Sequence, residues 1–259
     1  MYPRFDQFIR ERQYLMNVSP HTVSWYRHAL KWLPCENPNK DELFEMVMRM
    51  RERGLKPTGC NAAIRAINCY LKWSGSAHHV KPLKEPQEPI STFSGTQVSL
   101  LLSFRPSGQQ TQRTHVLTLL LLDTGIRISE ALGIRKEDID WDNLLLTIRG
   151  KGGKCRIIPF SHELRKRLFK FDGDRLFEMG RCIALRRVKL LCRKIGFEPP
   201  KRTLHAFRHT FALNYIRQGG SVFHLQKMLG HSSLEMSRRY ANLNVIDLQA
   251  VHQRISLLA

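Results

Sequence analysis

The sequence predicts a mainly helical protein with one small β-hairpin, in the α+β class, divided into two domains. Apolar residues recur at three- and four-residue spacing over residues 1–73, which indicates helices. A stretch over about 74–92 contains Pro82, Pro86 and Pro89 and has no apolar period, which is typical of a linker. Two β-prone runs flank a glycine-rich turn in the second half. We therefore predict domains over 1–87 and 88–259.

The first domain is predicted from its helix starts and stops. Ser19 is a suitable N-cap, and Pro20 suits the first helical position. The apolar face of this helix consists of Val23, Tyr26, Leu30 and Leu33. A second helix is expected over Asp41–Glu52, ending at Gly54. A third is expected from about Thr58 to Trp73, ending at Gly75, with Ile64, Ile67, Tyr70 and Leu71 pointing inward.

The second domain mixes helices with the hairpin. Val116–Leu122 is an apolar helical run that ends at Asp123-Thr124-Gly125. Leu144–Arg149 and Cys155–Pro159 are the two β-prone runs, and Gly150-Lys151-Gly152-Gly153-Lys154 forms the turn between them. Further helices are expected at about 161–170, 180–195, 203–218, 221–229, 232–240 and 245–258.

The charge balance points to a polyanionic partner. The chain has 42 Lys and Arg residues against 22 Asp and Glu residues, a net charge of +20. Such a surplus attracts nucleic acid, because each cation placed on a phosphate releases a counterion. Residues 181–208 are the densest basic run, with Glu198 as their single acidic residue. A charge run can be merely a solvated face, but both domains are basic, which favours a protein that clamps a duplex from two sides.

Several protein classes are disfavoured. No run of about 18 apolar residues is present, and the N-terminus lacks an apolar signal core, so we expect no membrane association. The six cysteines are irregularly spaced without a C-x-x-C pair, which predicts reduced thiols in a cytoplasmic protein and neither a disulfide framework nor a zinc site. The sequence also lacks a Walker loop, a G-x-G-x-x-G segment, an H-E-x-x-H segment and an acidic cluster for two metals.

Phosphoryl chemistry would then depend on side chains alone. Arginines can neutralise the non-bridging oxygens of a phosphodiester, a Lys or His can protonate the leaving oxygen, and a hydroxyl can attack. The second half supplies such residues in order. They lie in the segments Thr124–Leu132, Gly150–Lys154, Leu204–Thr210, Leu229–Ser233 and Arg238–Ala241, and they are Arg127, Lys151, His205, Arg208, His231 and Tyr240. His205 and Arg208 are three residues apart, hence on one helical face.

This ordered set resembles the tyrosine recombinases, or phage-type integrases, which include the Xer and lambda-integrase groups. The family order is Arg, Lys, His-x-x-Arg, His or Trp, and Tyr, and the nine-residue interval from His231 to Tyr240 also fits. The resemblance implies a helical, SAM-like core-binding domain over 1–87 and a catalytic domain over 88–259. It further implies that residues 245–259 form a helix that reaches a neighbouring protomer, although packing of this helix on its own domain is the alternative.

The resemblance also implies a role for each residue. Tyr240 would attack the scissile phosphate and form a 3′-phosphotyrosine, and Arg127 and Arg208 would hold the phosphate. Lys151 would be the general acid, with Lys154 as the alternative. His205 would be an acid/base or a phosphate ligand, and His231 would donate a hydrogen bond. No metal or other cofactor is implied, and Glu130 is expected to support the site.

We expect the partners to be double-stranded DNA with specific sites and further copies in a homotetramer, or a hetero-tetramer with a paralogue, in the cytoplasm near the nucleoid. Candidate DNA-binding residues are Lys154, Arg181, Arg186, Arg187, Lys189, Arg193, Lys201 and Arg202. The resemblance implies a site-specific DNA recombinase that serves DNA integration, excision or resolution. The alternatives are a type IB topoisomerase-like nicking and closing enzyme and a catalytically silent DNA-binding accessory protein. His205-Ala206-Phe207-Arg208 departs from the commoner H-x-L-R pattern, and the interval from Lys151 to His205 is short, so DNA contacts over 160–180 are in doubt.

Overall fold

The structure is a computed structural model, and it describes residues 2–86, 90–150 and 155–230. The chain divides into two compact units, residues 1–88 and 89–259. Each unit has a hydrophobic core of its own. The prediction of a mainly helical chain with a small sheet is confirmed.

The first unit consists of four helices: α1 (Pro3–Tyr14), α2 (Pro20–Leu30), α3 (Lys40–Glu52) and α4 (Pro57–Trp73). Ser19 caps α2 as predicted, since its hydroxyl accepts from the backbone N–H of Thr22 at 3.3 Å. Asn39 and Glu42 form a capping box at the start of α3. The helices surround an interior rich in apolar and aromatic side chains, in which Phe8 and Tyr70 are fully buried.

The segment after α4 is hydrogen-bonded to the first unit. The Asn61 side chain donates to the carbonyl of Leu83 at 2.8 Å and accepts from its N–H at 2.7 Å. Asn68 makes the same pair of bonds with Val80, both at 2.9 Å. Two side-chain amides on α4 therefore replace the backbone partners that this irregular segment lacks.

The second unit contains seven α-helices, a short 3-10 helix (Lys136–Asp138) and a sheet among its described residues. The helices are α5 (Gly95–Ser103), α6 (Gln109–Thr124), α7 (Ile128–Ala131), α8 (His162–Leu168), α9 (Arg181–Ile195), α10 (Thr203–Arg217) and α11 (Val222–Leu229). The helices expected at 232–240 and 245–258 lie outside the described residues. Helix α6 lies at the centre and contacts α8, α9 and α10.

The sheet has three antiparallel strands in the order β1 (Ile139–Asp140), β2 (Leu145–Arg149) and β3 (Cys155–Pro159). The predicted hairpin is formed by β2 and β3, with Arg149 opposite Cys155. Alternate residues of the strands point into the core, as Leu146 and Ile158 do. No helix in the described parts of the chain has the length and apolar character needed to cross a membrane.

Candidate active site

Arg127 follows a turn that only glycine suits. Gly125 ends α6 in the left-handed region, at φ 64°, and a Cβ there would collide with the ring of Phe211. The next residues turn into α7, where the Arg127 backbone N–H donates to Glu130 Oε2 at 2.8 Å and its Nη1 donates to Glu130 Oε1 at 3.1 Å. The Arg127 side chain remains 41% exposed, so it is held at its base and open to a ligand.

Arg208 lies on α10, and its side chain is buried, unlike that of Arg127. Its Nη1 donates to the carbonyl oxygen of Gly125 at 3.0 Å, and its Nη2 donates to that of Leu229 at 2.6 Å. The first carbonyl belongs to the turn before Arg127, and the second lies two residues before His231. A buried cation needs such partners, because desolvation without them is costly. Arg208 thus connects the ends of α6 and α11.

His205 lies one turn before Arg208 on α10, and its side chain reaches the surface. Partial desolvation lowers the pKa of His205, and the positive charges of Arg181, Arg208, Arg202 and Arg127 lower it further. The imidazole is therefore neutral at neutral pH, and one ring nitrogen can accept a proton.

Glu130 has the supporting position that was expected of it. Its side chain is 8% exposed and also receives two bonds from Arg156, with Nη1 to Oε1 at 3.0 Å and Nη2 to Oε2 at 2.8 Å. Burial by itself would raise the pKa of Glu130, but the bonds from Arg156 and Arg127 outweigh it and the pKa is lowered. The carboxylate stays ionised between two guanidinium groups.

The sequence interpretation did not single out Arg156. Strand periodicity could have drawn attention to it, because Arg156 shares a strand face with the buried Ile158. An arginine at an inward strand position requires a partner, and an acidic residue beside a motif arginine is a natural choice. What the pattern does not reveal is that Glu130, 26 residues earlier, is that partner.

The predicted DNA-binding residues differ in their surroundings. Arg181, Arg186, Lys201 and Arg202 are exposed, and Arg181 and Arg202 are among the cations that act on His205. Lys189 is partly buried. Arg193 forms an ion pair with Glu198 at 2.9 Å. Arg187 is partly buried, with its Nη1 3.8 Å from Met179 Sδ and its guanidinium facing the side-chain amide of Gln110.

Four of the predicted site residues, Lys151, Lys154, His231 and Tyr240, lie outside the described residues. The structure therefore brings together Arg127, Arg208 and His205 from the catalytic set and adds Glu130 and Arg156. Among the described His, Cys, Asp and Glu residues, no group of three is placed to hold a metal ion.

The family model and the curated relatives that this chain resembles are all integrases or tyrosine recombinases. The Phage integrase family model matches residues 92–245, more than half of the chain. Tyrosine recombinase XerA of Thermococcus kodakarensis is 26% identical over 264 residues, covering 94% of this chain and 92% of that protein. Tyrosine recombinase XerC of Chlamydia pneumoniae is 28% identical over 273 residues, covering 95% and 87%.

Solved structures show the same fold. The Tn1549 transposon integrase in complex with transposon right end DNA superimposes with a TM-score of 0.78, at 21% identity and 98% coverage of both chains. The crystal structure of XerA recombinase gives a TM-score of 0.55 at 24% identity, again with 98% coverage of both chains.

Proposed function

Because the chain belongs to the phage integrase family, we propose that it is a site-specific DNA recombinase that acts through a covalent bond to Tyr240. The family resemblance predicted from the motifs is confirmed by the family match. The topoisomerase-like and catalytically silent alternatives find no support over the recombinase in these similarities.

One observation of the described site carries the proposal. Arg208, which is buried, donates both to the turn that presents Arg127 and to the end of α11. The guanidinium groups of Arg127 and Arg208, together with the neutral imidazole of His205, therefore belong to one electropositive corner. Preorganised cations of this kind stabilise the charge that develops on a phosphodiester during attack, and removing one such donor costs on the order of 100- to 1,000-fold in rate.

In the proposed reaction, the Tyr240 oxygen attacks the scissile phosphorus and the P–O5′ bond breaks. The products are a 3′-phosphotyrosine and a 5′-hydroxyl, whose proton comes from Lys151. His205, kept neutral by its surroundings, accepts the tyrosine proton or binds the phosphate, and His231 donates a hydrogen bond to a phosphate oxygen. A 5′-hydroxyl of the partner duplex then attacks the phosphotyrosine, which restores both the tyrosine and a phosphodiester. Because the phosphotyrosine bond conserves the energy of the broken phosphodiester, the rejoining step needs no nucleotide.

A nicked suicide substrate carrying the recombination site tests the nucleophile. Wild-type protein should form a covalent adduct that is visible on a denaturing gel. The short fragment that carries the 5′-hydroxyl is lost after cleavage, so religation cannot occur. Tyr240→Phe should abolish the adduct, while Tyr215→Phe, which keeps its ring packed against Gly220, should form it normally. An adduct that persists in Tyr240→Phe contradicts the assignment of Tyr240.

A second assay separates recombination from nicking and closing. Two labelled duplexes that share the site should yield recombinant products. Relaxation of supercoiled DNA without any joining between duplexes would contradict the recombinase and favour a topoisomerase-like enzyme.

The proposed partners are double-stranded DNA and further protomers, which would form an assembly of four, as a homotetramer or with a paralogue. The proposed location is the cytoplasm, at the nucleoid.

Residues 245–259 would dock on a neighbouring protomer. A cleft of about 570 Å³ in the second unit, lined in part by Phe93, Leu102, Leu119 and Phe211, offers an apolar surface that suits Val245, Ile246, Leu248, Ile255 and Leu257. Truncation after Asn244 should leave DNA binding intact but prevent assembly on DNA in light scattering. An assembly of unchanged mass would contradict the exchange.

A further inference from the structure

Arg156 makes an unusually complete set of contacts for a residue outside the catalytic motifs. Its side chain is 15% exposed, and two of its nitrogens bind the two carboxylate oxygens of Glu130. Its Nε donates to the carbonyl oxygen of Met228 at 2.8 Å. The guanidinium also lies 3.3 Å from the place where a Cβ of Gly230 would be, so the end of α11 packs closely against it.

These contacts close a ring around the two motif arginines. Arg127 binds Glu130, which binds Arg156, and Arg156 binds the end of α11 at Met228. From the other side, Arg208 binds the end of α11 at Leu229 and the turn before Arg127 at Gly125. Arg127 is thus placed relative to Arg208 by two routes, and one of them passes through Arg156.

The chemistry of the guanidinium group explains why an arginine is needed here. A planar fork can bind both oxygens of one carboxylate and still direct Nε at a carbonyl, whereas an ammonium is a point charge on a flexible stem. Arg156 also shares the charge of Glu130 with Arg127. Without Arg156, the whole carboxylate charge would act on Arg127 and draw its guanidinium away from a ligand.

We propose that Arg156 is a positioning residue for DNA cleavage, which holds Arg127 in register with Arg208 at the scissile phosphate. The inference rests on the proposed function. Arg156 acts through Glu130 and Met228, and its loss would impair the neutralisation of the phosphate rather than DNA binding as a whole.

Single-turnover cleavage of two suicide substrates tests this proposal. One carries the natural scissile phosphate, and the other carries a methylphosphonate, in which a methyl group replaces one charged non-bridging oxygen. Arg156→Lys should cleave the phosphate on the order of 100-fold more slowly, as expected for a displaced catalytic group. On the uncharged methylphosphonate, which needs less neutralisation, the same variant should be within about tenfold of wild type. Binding of the site should change less than about threefold.

Two further variants serve as controls. Arg127→Lys should show the same selective recovery on the methylphosphonate, because it removes the group that Arg156 positions. Arg149→Lys alters an exposed arginine of the neighbouring strand, paired with Asp138 at 3.0 Å, and should leave both rates unchanged. All rates are compared at a temperature at which circular dichroism shows each variant to be folded.

An equal loss on both substrates would show that Arg156 only stabilises the fold, and an unchanged rate on the phosphate would show that it is dispensable. Either result overturns the proposal. Failure of the wild-type protein to form any adduct on its site would instead contradict the proposed function itself.

Discussion

The two compact units stabilise their interiors in different ways. In the first, Phe8 packs edge-on against Tyr26 and Tyr70 with ring centroids 5.0 and 5.5 Å apart, within the hydrophobic core of that unit. In the second, the interior near the candidate site contains the ionised groups of Arg208 and Glu130. Apolar packing contributes stability in proportion to the volume filled, whereas buried charges cost desolvation and are useful for the geometry they impose. The first unit should therefore respond to lost volume and the second to altered geometry.

The largest effect on stability is expected in the aromatic core of the first unit. Phe8→Ala should lower the free energy of unfolding by about 4 kcal/mol, because the ring is fully buried and leaves a cavity. Urea denaturation followed by tryptophan fluorescence measures this, since three of the four tryptophans, Trp25, Trp32 and Trp73, are in the first unit. Phe169→Ala, at a side chain that is 69% exposed in the second unit, should cost less than about 1 kcal/mol. Equal losses would contradict the comparison.

A matched pair of glycines tests the role of backbone geometry. Gly125 and Gly75 both have positive φ, at 64° and 76°, but only Gly125 lies against another side chain, that of Phe211. Gly125→Ala should destabilise the protein by about 3 kcal/mol through strain and overpacking. It should also slow cleavage, since Arg127 follows this turn. Gly75→Ala should cost about 1 kcal/mol and leave cleavage unaffected. Thermal unfolding and the adduct assay give both quantities, and a similar loss in the two variants would refute the role of Phe211.

A smaller effect is expected where polar groups tie the irregular segment to the first unit. Asn61→Ala removes both bonds to Leu83, together with one to Glu85, and should cost about 2 kcal/mol, because it leaves partly buried backbone groups without partners. The amide of Leu83 should then exchange with deuterium faster than in wild type. Asn143→Ala, which removes a bond to Asp140 in an exposed turn of the second unit, should change stability by less than about 0.5 kcal/mol. Unchanged exchange at Leu83 would contradict the proposed attachment.

The smallest effect concerns a buried histidine of the second unit. Burial lowers the pKa of His115 from 6.5, and its Nε2 lies 2.7 Å from the carbonyl oxygen of Leu101. The unfolded chain therefore takes up a proton at a pH at which the folded protein does not, so stability is unaffected above pH 6.5 and falls as the pH drops below it. The loss of stability should therefore begin near pH 6.5 and grow as the pH is lowered further. His115→Gln should remove this part of the pH dependence in urea titrations. An identical pH profile in the variant would exclude His115 as its source.

Much of the fold could be predicted because its signals are local. The start of α2 follows from Ser19 and Pro20, and the hairpin follows from two β-prone runs around a glycine-rich turn. Helix α1 and strand β1 were not predicted as separate elements. Strand β1 is only two residues long, and its existence depends on pairing with β2 rather than on a pattern of its own.

The same distinction between local and long-range signals applies to the candidate site. The motif order identifies Arg127, His205 and Arg208 without any knowledge of the fold, because the chemistry requires those residue types at recognisable spacing. The burial of Arg208, the attachment of Arg156 and the contacts of Arg187 with Met179 and Gln110 could not be predicted from the sequence. Their contacts depend on which helices and strands become neighbours.

The sequence by itself therefore determined the helical class, the hairpin and the identity of the catalytic candidates, since hydrogen bonding and apolar periodicity act over a few residues. Only the tertiary structure decided how these candidates are held. The bonds that do so join residues far apart in the chain, 83 positions from Arg208 to Gly125 and 72 from Arg156 to Met228. Nothing in the local pattern at either end specifies such a partner, because burial and charge compensation arise only when the chain has folded.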